Sequence, residues 1–197
     1  MTHSTASTPA SAFAPAPTRR HWLKAGGRAV LQLSALWAGL PAPASAAATG
    51  EQGATPPAPV IGDLVRWPSL HLLDGRPYDP PTAGRLASVV VFFSTTCPFC
   101  ARHNEHVQKL MVAARGLPLR VLGVAHDSKV EHVRTYLGRR GLGFDVSMDQ
   151  LALHAALSRM KGIPLTCVVD RQQHLREVIR GEMFEDDVLG LVKWART

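Results

Sequence analysis

Cysteine is scarce in this sequence. Only three cysteines occur among 197 residues, at positions 97, 100 and 167. A domain held together by structural disulfides uses more of them, so this count excludes a disulfide framework. Cys97 and Cys100 form a closely spaced pair, and Cys167 is left over. Because Cys167 follows Pro164 in an apolar stretch, we expect it to be a buried, unreactive thiol.

Acidic residues are absent from the first 46 residues, which carry Arg19, Arg20, Lys24 and Arg28. These four contribute more than half of the net charge of +7. Without them, 18 of the 22 Lys and Arg residues face 15 acids, which leaves +3. No basic stripe with interleaved aromatic residues follows, so we expect no nucleic-acid partner.

The N-terminal apolar run, residues 29–40, is also short. Twelve residues cannot cross a bilayer as a mature helix, but they are typical of the apolar region of an export signal. The preceding Arg19-Arg20 pair resembles a twin-arginine signal. Ala44-Ser45-Ala46 is a small-x-small cleavage site. We therefore predict cleavage near Ala46.

The domain organisation that we predict is an export signal peptide over residues 1–46, a flexible linker over 47–60 and a folded domain over 61–197. The predicted location is the periplasm, with no stable membrane insertion after cleavage. The alternative is a membrane anchor formed by the uncleaved N-terminal segment. In both cases the domain faces an oxidising compartment, where disulfide chemistry has substrates.

The hydrophobic pattern of the domain alternates between strands and helices. We predict strands over 88–93, 119–125, 144–147, 166–170 and 175–180, and helices over 98–114, 129–139, 151–160 and 185–195. Residues 64–78 are predicted to form a β-hairpin with a tight turn at Asp74-Gly75. Ser128 is expected to cap the second helix and Gly162 to end the third. The order predicts an α/β fold, a mixed central sheet flanked by helices.

Cys97-Pro98-Phe99-Cys100 lies between the apolar run 88–93 and the first predicted helix. A helix N-terminus offers free N–H groups and a positive dipole end, which stabilise a thiolate. Pro98 suits the first helical turn, where no N–H is needed. We predict that Cys97 is the nucleophile and that Cys100, one turn further on, is the more buried resolving thiol. Phe99 is expected at the solvent edge, in contact with partners.

His103 and His106 follow the cysteine pair, so a potential metal ligand occurs at every third residue from 97 to 106. On a helix, each step of three residues falls roughly 60° short of a full turn. Cys97 and His106 therefore lie about 180° apart, and one metal ion cannot bind all four side chains. A copper-binding chaperone using Cys97, Cys100 and His103 is the alternative from another class of protein. We expect no metal and no cofactor beyond a redox-active Cys97–Cys100 disulfide. His103 is then a polar neighbour that tunes the dithiol, or an exposed helix histidine.

Two further groups of residues are interpreted structurally. Trp67, Trp194 and Phe184 are predicted to pack in or against the core. His126 and Asp127 are interpreted as loop and capping residues.

Three motifs resemble the thioredoxin superfamily, and within it the TlpA/ResA-like exported thiol–disulfide oxidoreductases. They are Phe-Phe-Ser-Thr-Thr-Cys-Pro-Phe-Cys at 92–100, Gly162-Ile163-Pro164 before a strand, and a terminal hairpin with Gly181. The N-terminal hairpin and a helix–strand–helix insertion between Ser128 and Gly162 also fit this branch. The resemblance implies a thioredoxin fold over about residues 61–196.

The resemblance also implies a function. Ile163–Pro164 is expected to be a cis peptide beside the dithiol, which leaves the Ile163 backbone free to pair with an extended substrate. Partners would be proteins with disulfides or thiols, and a membrane thiol transporter as reductant. We expect reduction of client disulfides, for example in apocytochrome c or copper-site proteins.

Three positions depart from the family pattern. Many TlpA-like domains have proline second between the cysteines and a Glu where His103 stands, whereas Pro98-Phe99 places proline first, as DsbA-like oxidases and glutaredoxins do. Val91 replaces a buried Asp of thioredoxin. The dipeptide affects thiolate stability and hence the potential, for which 30 mV corresponds to about 1.4 kcal/mol. A DsbA-like disulfide-forming oxidase is therefore the alternative within the class.

Overall fold

The computed structural model describes residues 57–81 and 84–197. The predicted signal peptide, with Arg19, Arg20 and the cleavage site near Ala46, lies outside these residues, as does most of the predicted linker. In the part of the chain that is described, no helix is long and apolar enough to cross a membrane.

Strands and helices alternate along the chain. The strands are β1 (Ala87–Phe93), β2 (Leu119–Ala125), β3 (Asp145–Ser147), β4 (Leu165–Val169) and β5 (Leu175–Arg180). The helices are α1 (Pro98–Ala113), α2 (Val130–Arg140), α3 (Gln150–Leu157) and α4 (Glu185–Gly190), and a 3-10 helix, Leu191–Ala195, follows α4. This order confirms the predicted α/β class and the helix–strand–helix insertion between β2 and β4.

The five strands form one mixed sheet in the order β3-β2-β1-β4-β5. β1 is parallel to β2 and antiparallel to β4, and β4 is antiparallel to β5. Phe92 lies opposite Leu165 in the β1–β4 register. Pro164 therefore lies at the end of the sheet where β1 runs into the Cys97 loop.

β1 is the central strand, and all seven of its residues are buried. Val89, Val91 and Phe93 lie in one core, to which α1, α2 and α4 contribute. Val90 and Phe92 lie in a second core, with α3 and residues from the segment before β1. Full burial of one such side chain contributes about 1.5–3 kcal/mol to the stability of the fold. Because β1 buries side chains on both of its faces, it stabilises both cores.

The chain enters the sheet at the end opposite Pro164. The Gly62 N–H donates to the Leu175 carbonyl, and the Val65 N–H donates to the Gln173 carbonyl, each at 2.8 Å. Gln173 lies in the turn of the β4–β5 hairpin, and Leu175 is the first residue of β5. Residues 62–65 are thus fastened to the hairpin turn.

The predicted N-terminal hairpin is reduced to its turn. A single antiparallel bridge joins His71 to Pro77, and the Leu72 N–H donates to the Arg76 carbonyl at 2.9 Å. Asp74 accepts the Arg76 N–H at 3.0 Å and closes the turn. Pro80 and Pro81 follow and have no N–H, so the ladder cannot grow into full strands.

Two predicted helix ends are wrong. Lys129, not Ser128, is the N-cap of α2, and no side chain caps it. α3 ends at Leu157, before the predicted residue 160, because Ser158 is extended and its hydroxyl accepts the Met160 N–H at 3.1 Å. Gly162 instead lies in the loop before Pro164, with a φ of 101°.

One aromatic prediction is also wrong. Phe184 is 83% exposed rather than packed in the core. Trp67 and Trp194 are partly buried as predicted. Each indole N–H has a partner, because Trp67 donates to Gln173 at 2.8 Å and Trp194 donates to Glu177 at 2.6 Å.

Candidate active site

The two neighbouring cysteines lie at the start of α1. Cys97 is the N-cap residue, and its sulfur accepts the Cys100 N–H at 3.1 Å. The two residues are joined by a disulfide with a Cα–Cα distance of 5.2 Å. Cys97 is partly exposed, whereas Cys100 is fully buried. This is the predicted order of exposure, and the N–H aimed at the Cys97 sulfur would favour its thiolate after reduction.

The loop before Cys97 is held by Asp127, which follows β2. Asp127 accepts hydrogen bonds from both the backbone N–H and the hydroxyl of Thr95, the former at 3.0 Å. The adjacent His126 N–H donates to the Phe93 carbonyl at 2.8 Å. Sequence reasoning placed Asp127 in a loop but missed this contact, since 32 residues separate it from Thr95.

The Ile163–Pro164 peptide bond is cis, as the resemblance implied. The Pro164 carbonyl accepts the Gly181 N–H at 2.8 Å. The Ile163 backbone makes no hydrogen bond to another residue of the described ranges. Ile163 and Cys97 pack against the same core cluster, so a polar backbone segment with unused groups lies at the dithiol end of the sheet.

His103 is fully buried, which makes the exposed-histidine interpretation wrong. Its Nδ1 accepts the Met183 N–H at 3.3 Å. The Nε2 therefore carries the proton and donates to the Thr166 hydroxyl at 2.9 Å. Burial, and then the nearby His106, lower the pKa of His103 to about 4, so it is neutral at neutral pH.

This pairing limits what His103 can do. Both ring nitrogens form hydrogen bonds inside the protein. His103 therefore has no free lone pair for a copper ion that Cys97 and Cys100 would also bind. Thr166 lies opposite Val91 in the β1–β4 register, so the pair adds a polar contact beside that apolar position. A tuning role for His103 stays a prediction, and it would act through packing rather than through titration near neutral pH.

Phe99 lies between the cysteines and is 57% exposed. The Arg102 guanidinium lies 5.1 Å from its ring centre and also donates to both carboxylate oxygens of Glu182, at 2.7 and 2.6 Å. The arginine thus connects α1 to the segment after β5. An apolar side chain beside a partly exposed sulfur can contact a docked protein.

Cys167 lies in β4 and is fully buried. Burial raises the pKa of its thiol to about 12. The predicted burial of this cysteine is confirmed, and its thiolate is almost absent at neutral pH.

Comparison with known proteins supports the fold. No protein-family model and no curated protein matches the sequence. A thiol:disulfide interchange protein of the thioredoxin family from Chlorobium tepidum matches at 23% identity and a TM-score of 0.60, over 74% of this chain and all of that one.

Two other solved structures match over similar shares of the chain. A secreted Mycobacterium tuberculosis disulfide oxidoreductase homologous to E. coli DsbE matches at 17% identity and a TM-score of 0.55, over 64% of this chain and 93% of that one. StoA from Bacillus subtilis matches at 15% and 0.53, over 62% and 93%. The chain therefore has a thioredoxin fold, and its structural neighbours include thiol:disulfide oxidoreductases.

Proposed function

We propose that this protein is an exported thiol–disulfide oxidoreductase that reduces disulfides of client proteins through Cys97 and Cys100. The observation that supports it best is the placement of the dithiol: a partly exposed sulfur at a helix N-terminus, a buried partner, and a cis proline at the same end of the sheet. The fold and its oxidoreductase neighbours agree with this chemistry.

The reaction has two exchange steps. The Cys97 thiolate attacks one sulfur of the client disulfide, and the other client sulfur leaves as a thiolate and takes up a proton. The Cys100 thiol then loses its proton and attacks the Cys97 sulfur, which releases the second client thiolate. Two electrons have passed to the client, and Cys97–Cys100 is a disulfide.

Client docking would use two features beside the sulfurs. The unused Ile163 backbone groups offer hydrogen bonds to an extended client segment. The exposed Phe99 ring offers apolar contact next to Cys97. Such contacts hold the client sulfur in line with the attacking thiolate.

The reduced state must be regenerated, and we assign this to a membrane thiol transporter on the periplasmic side. Clients such as apocytochrome c or copper-site proteins are the expected substrates. The dithiol of the protein itself is the only redox group that this proposal requires.

Equilibration with glutathione redox buffers tests the direction of electron flow. We expect a reduction potential far below that of DsbA, which is about −120 mV. A value near DsbA's would contradict the reductive direction and favour the disulfide-forming alternative. Failure of Cys97–Cys100 to exchange with glutathione at all would contradict thiol–disulfide chemistry.

Cell fractionation tests export. The chain is expected in the periplasm with a new N-terminus near residue 47, and an Arg19→Lys/Arg20→Lys variant should stay in the cytoplasm. Arg28→Lys is the matched control, since it makes the same substitution outside the arginine pair. Retention of the full-length chain in the membrane would instead support the uncleaved anchor.

A further inference from the structure

A groove of about 520 Å³ lies along α3. One of its walls is α3 itself, and the others are His126, which follows β2, and residues 159–162. We call it the α3 groove. Its volume lies in the range of sites that take a small molecule or a large side chain.

The α3 groove adjoins both loops that the proposed reaction uses. Gly162 lines it and is followed by Ile163, the residue before the cis proline. His126 also lines it, and the next residue, Asp127, accepts two hydrogen bonds from Thr95 in the loop before the dithiol. A client segment that pairs with the Ile163 backbone therefore reaches the edge of this groove.

Two large apolar side chains of the groove are open to solvent. Leu151 is 82% exposed and Met160 is 41% exposed. The core contacts of α3 are made by Leu153 and Leu157, which lie on the other side of the helix from Leu151. Packing of α3 therefore does not require an apolar residue at position 151. Exposed apolar side chains on one concave surface are typical of a site that binds an apolar group.

Hydrogen bonds hold the walls of the groove together. The Nδ1 of His154 lies 2.8 Å from the Ser158 carbonyl, which can only accept, so Nδ1 carries the proton. The His154 Nε2 then accepts the Nε2–H of His126 at 3.2 Å. The Ser158 hydroxyl accepts the Met160 N–H at 3.1 Å. The groove is thus formed before a client arrives, and a preformed site loses less conformational entropy on binding.

The charges at the groove restrict which clients it suits. Lys161 lines it and is exposed, and among the residues that the structure describes no carboxylate lines it. A basic client segment would find no opposite charge here and would be repelled by Lys161. Neutral or acidic segments meet no such repulsion.

We propose that the α3 groove binds a large apolar side chain, such as leucine, of the client segment that pairs with Ile163. The inference rests on the proposed function, because it describes the clients that the dithiol would reduce. Side chains of an extended segment point alternately to opposite sides, at about 3.3 Å per residue, so the bound side chain would lie a few residues from the client cysteine. The preferred clients have an apolar residue there and no lysine or arginine beside it.

The experiment uses short serine-rich peptides with one cysteine that is disulfide-linked to thiopyridine. Each peptide carries one leucine at a different distance from the cysteine. Attack of the reduced protein on the cysteine sulfur releases thiopyridine, which is measured by its absorbance. With protein in excess, the best leucine peptide should reach half of its maximal rate at a protein concentration at least about fivefold lower than the leucine-free peptide does. The maximal rates should be similar, since the groove binds the client and does not touch the sulfurs.

Variants of the two apolar residues locate the preference. Leu151→Gln and Met160→Gln should each remove most of it, and Met160→Leu should keep it. Val112→Gln is the matched control, because it replaces an exposed apolar residue of α1 that does not line the groove, and it should change nothing. Melting curves establish that each variant is folded.

Dipyridyl disulfide, which carries no peptide, separates this inference from the proposed function. It should react equally with the parent and with every variant. Failure to reduce it would contradict thiol–disulfide chemistry itself. If it is reduced but the leucine and leucine-free peptides react alike, or if Leu151→Gln and Met160→Gln keep the preference, the α3 groove does not bind the client.

Discussion

Cys97 and Cys167 are the same residue in opposite surroundings. Cys97 is partly exposed at the start of a helix, with a backbone N–H aimed at its sulfur. Cys167 is fully buried in the middle of a sheet, and burial raises the pKa of its thiol to about 12. The difference shows that position in the fold, rather than residue type, decides which thiol can react.

His103 and Thr166 lie between these two regions. Thr166 is the neighbour of Cys167 in β4, and His103 follows Cys100 by one helical turn. Their hydrogen bond joins α1 to the sheet within the core. A buried polar pair of this kind fixes how the helix that carries the dithiol sits on the strand that carries the inert thiol.

The largest expected effect separates the two thiols by activity. Cys97→Ala should abolish reduction of a synthetic peptide disulfide, because no other partly exposed thiol remains to attack it. Cys167→Ala, the matched control, should keep the rate within about twofold. Activity that survives in Cys97→Ala but disappears in Cys167→Ala would reverse the assignment.

The second expected effect is a difference in alkylation. After reduction at pH 8, iodoacetamide should label Cys97 rapidly and leave Cys167 unlabelled, as read by peptide mass. With a pKa of about 12, on the order of one Cys167 in ten thousand is a thiolate at this pH. Addition of denaturant should make Cys167 reactive. Rapid labelling of Cys167 in the native protein would contradict its burial.

The third prediction concerns the pH dependence of stability. The pKa of His103 is about 4 in the folded protein, against an ordinary value of 6.5. The unfolded chain thus binds a proton more readily than the folded protein does. The stabilisation that comes from the neutral, buried His103 is therefore complete above pH 6.5 and is lost as the pH falls toward 4. At pH 5 the loss is about 2 kcal/mol.

Urea unfolding of His103→Gln at pH 7.5 and pH 5 measures this contribution. Between pH 7.5 and pH 5, the free energy of unfolding of the variant should fall by about 2 kcal/mol less than that of the parent, because glutamine does not titrate. His132→Gln removes an exposed histidine and should follow the parent. An unchanged pH dependence in His103→Gln would mean that His103 is not buried as a neutral ring.

The smallest expected effect is the packing of Cys167. Cys167→Ala should lower the free energy of unfolding by about 1 kcal/mol, since it removes one buried atom of roughly methylene size. Cys167→Ser keeps the size but adds a hydroxyl, and without a partner this costs about 1–3 kcal/mol. Equal stability of the serine and parent proteins would place the side chain in contact with water.

Much of the fold follows from local patterns in the sequence. The apolar run of β1 and the Cys97-Pro98-Phe99-Cys100 helix start each carry their own signal, so these elements and the α/β class were predicted. The thioredoxin fold was expected from the resemblance to that superfamily. The N-terminal hairpin was overestimated, because its turn residues are clear but the prolines that follow prevent a ladder.

The surroundings of the site depend on contacts that no local pattern contains. His103 is buried because the segment with Met183, 80 residues away, covers α1. The contact between Thr95 and Asp127 arises because β1 and β2 end side by side. The hydrogen bond between His126 and His154 likewise forms only when α3 packs on the sheet.

The fastening of residues 62–65 to the hairpin turn has a practical consequence for labelling. The seven residues of β1, at about 3.3 Å each, separate that end of the sheet from Cys97 by roughly 20 Å. Val60 is 61% exposed, and a fluorophore or surface linker placed there would leave the dithiol open to solution.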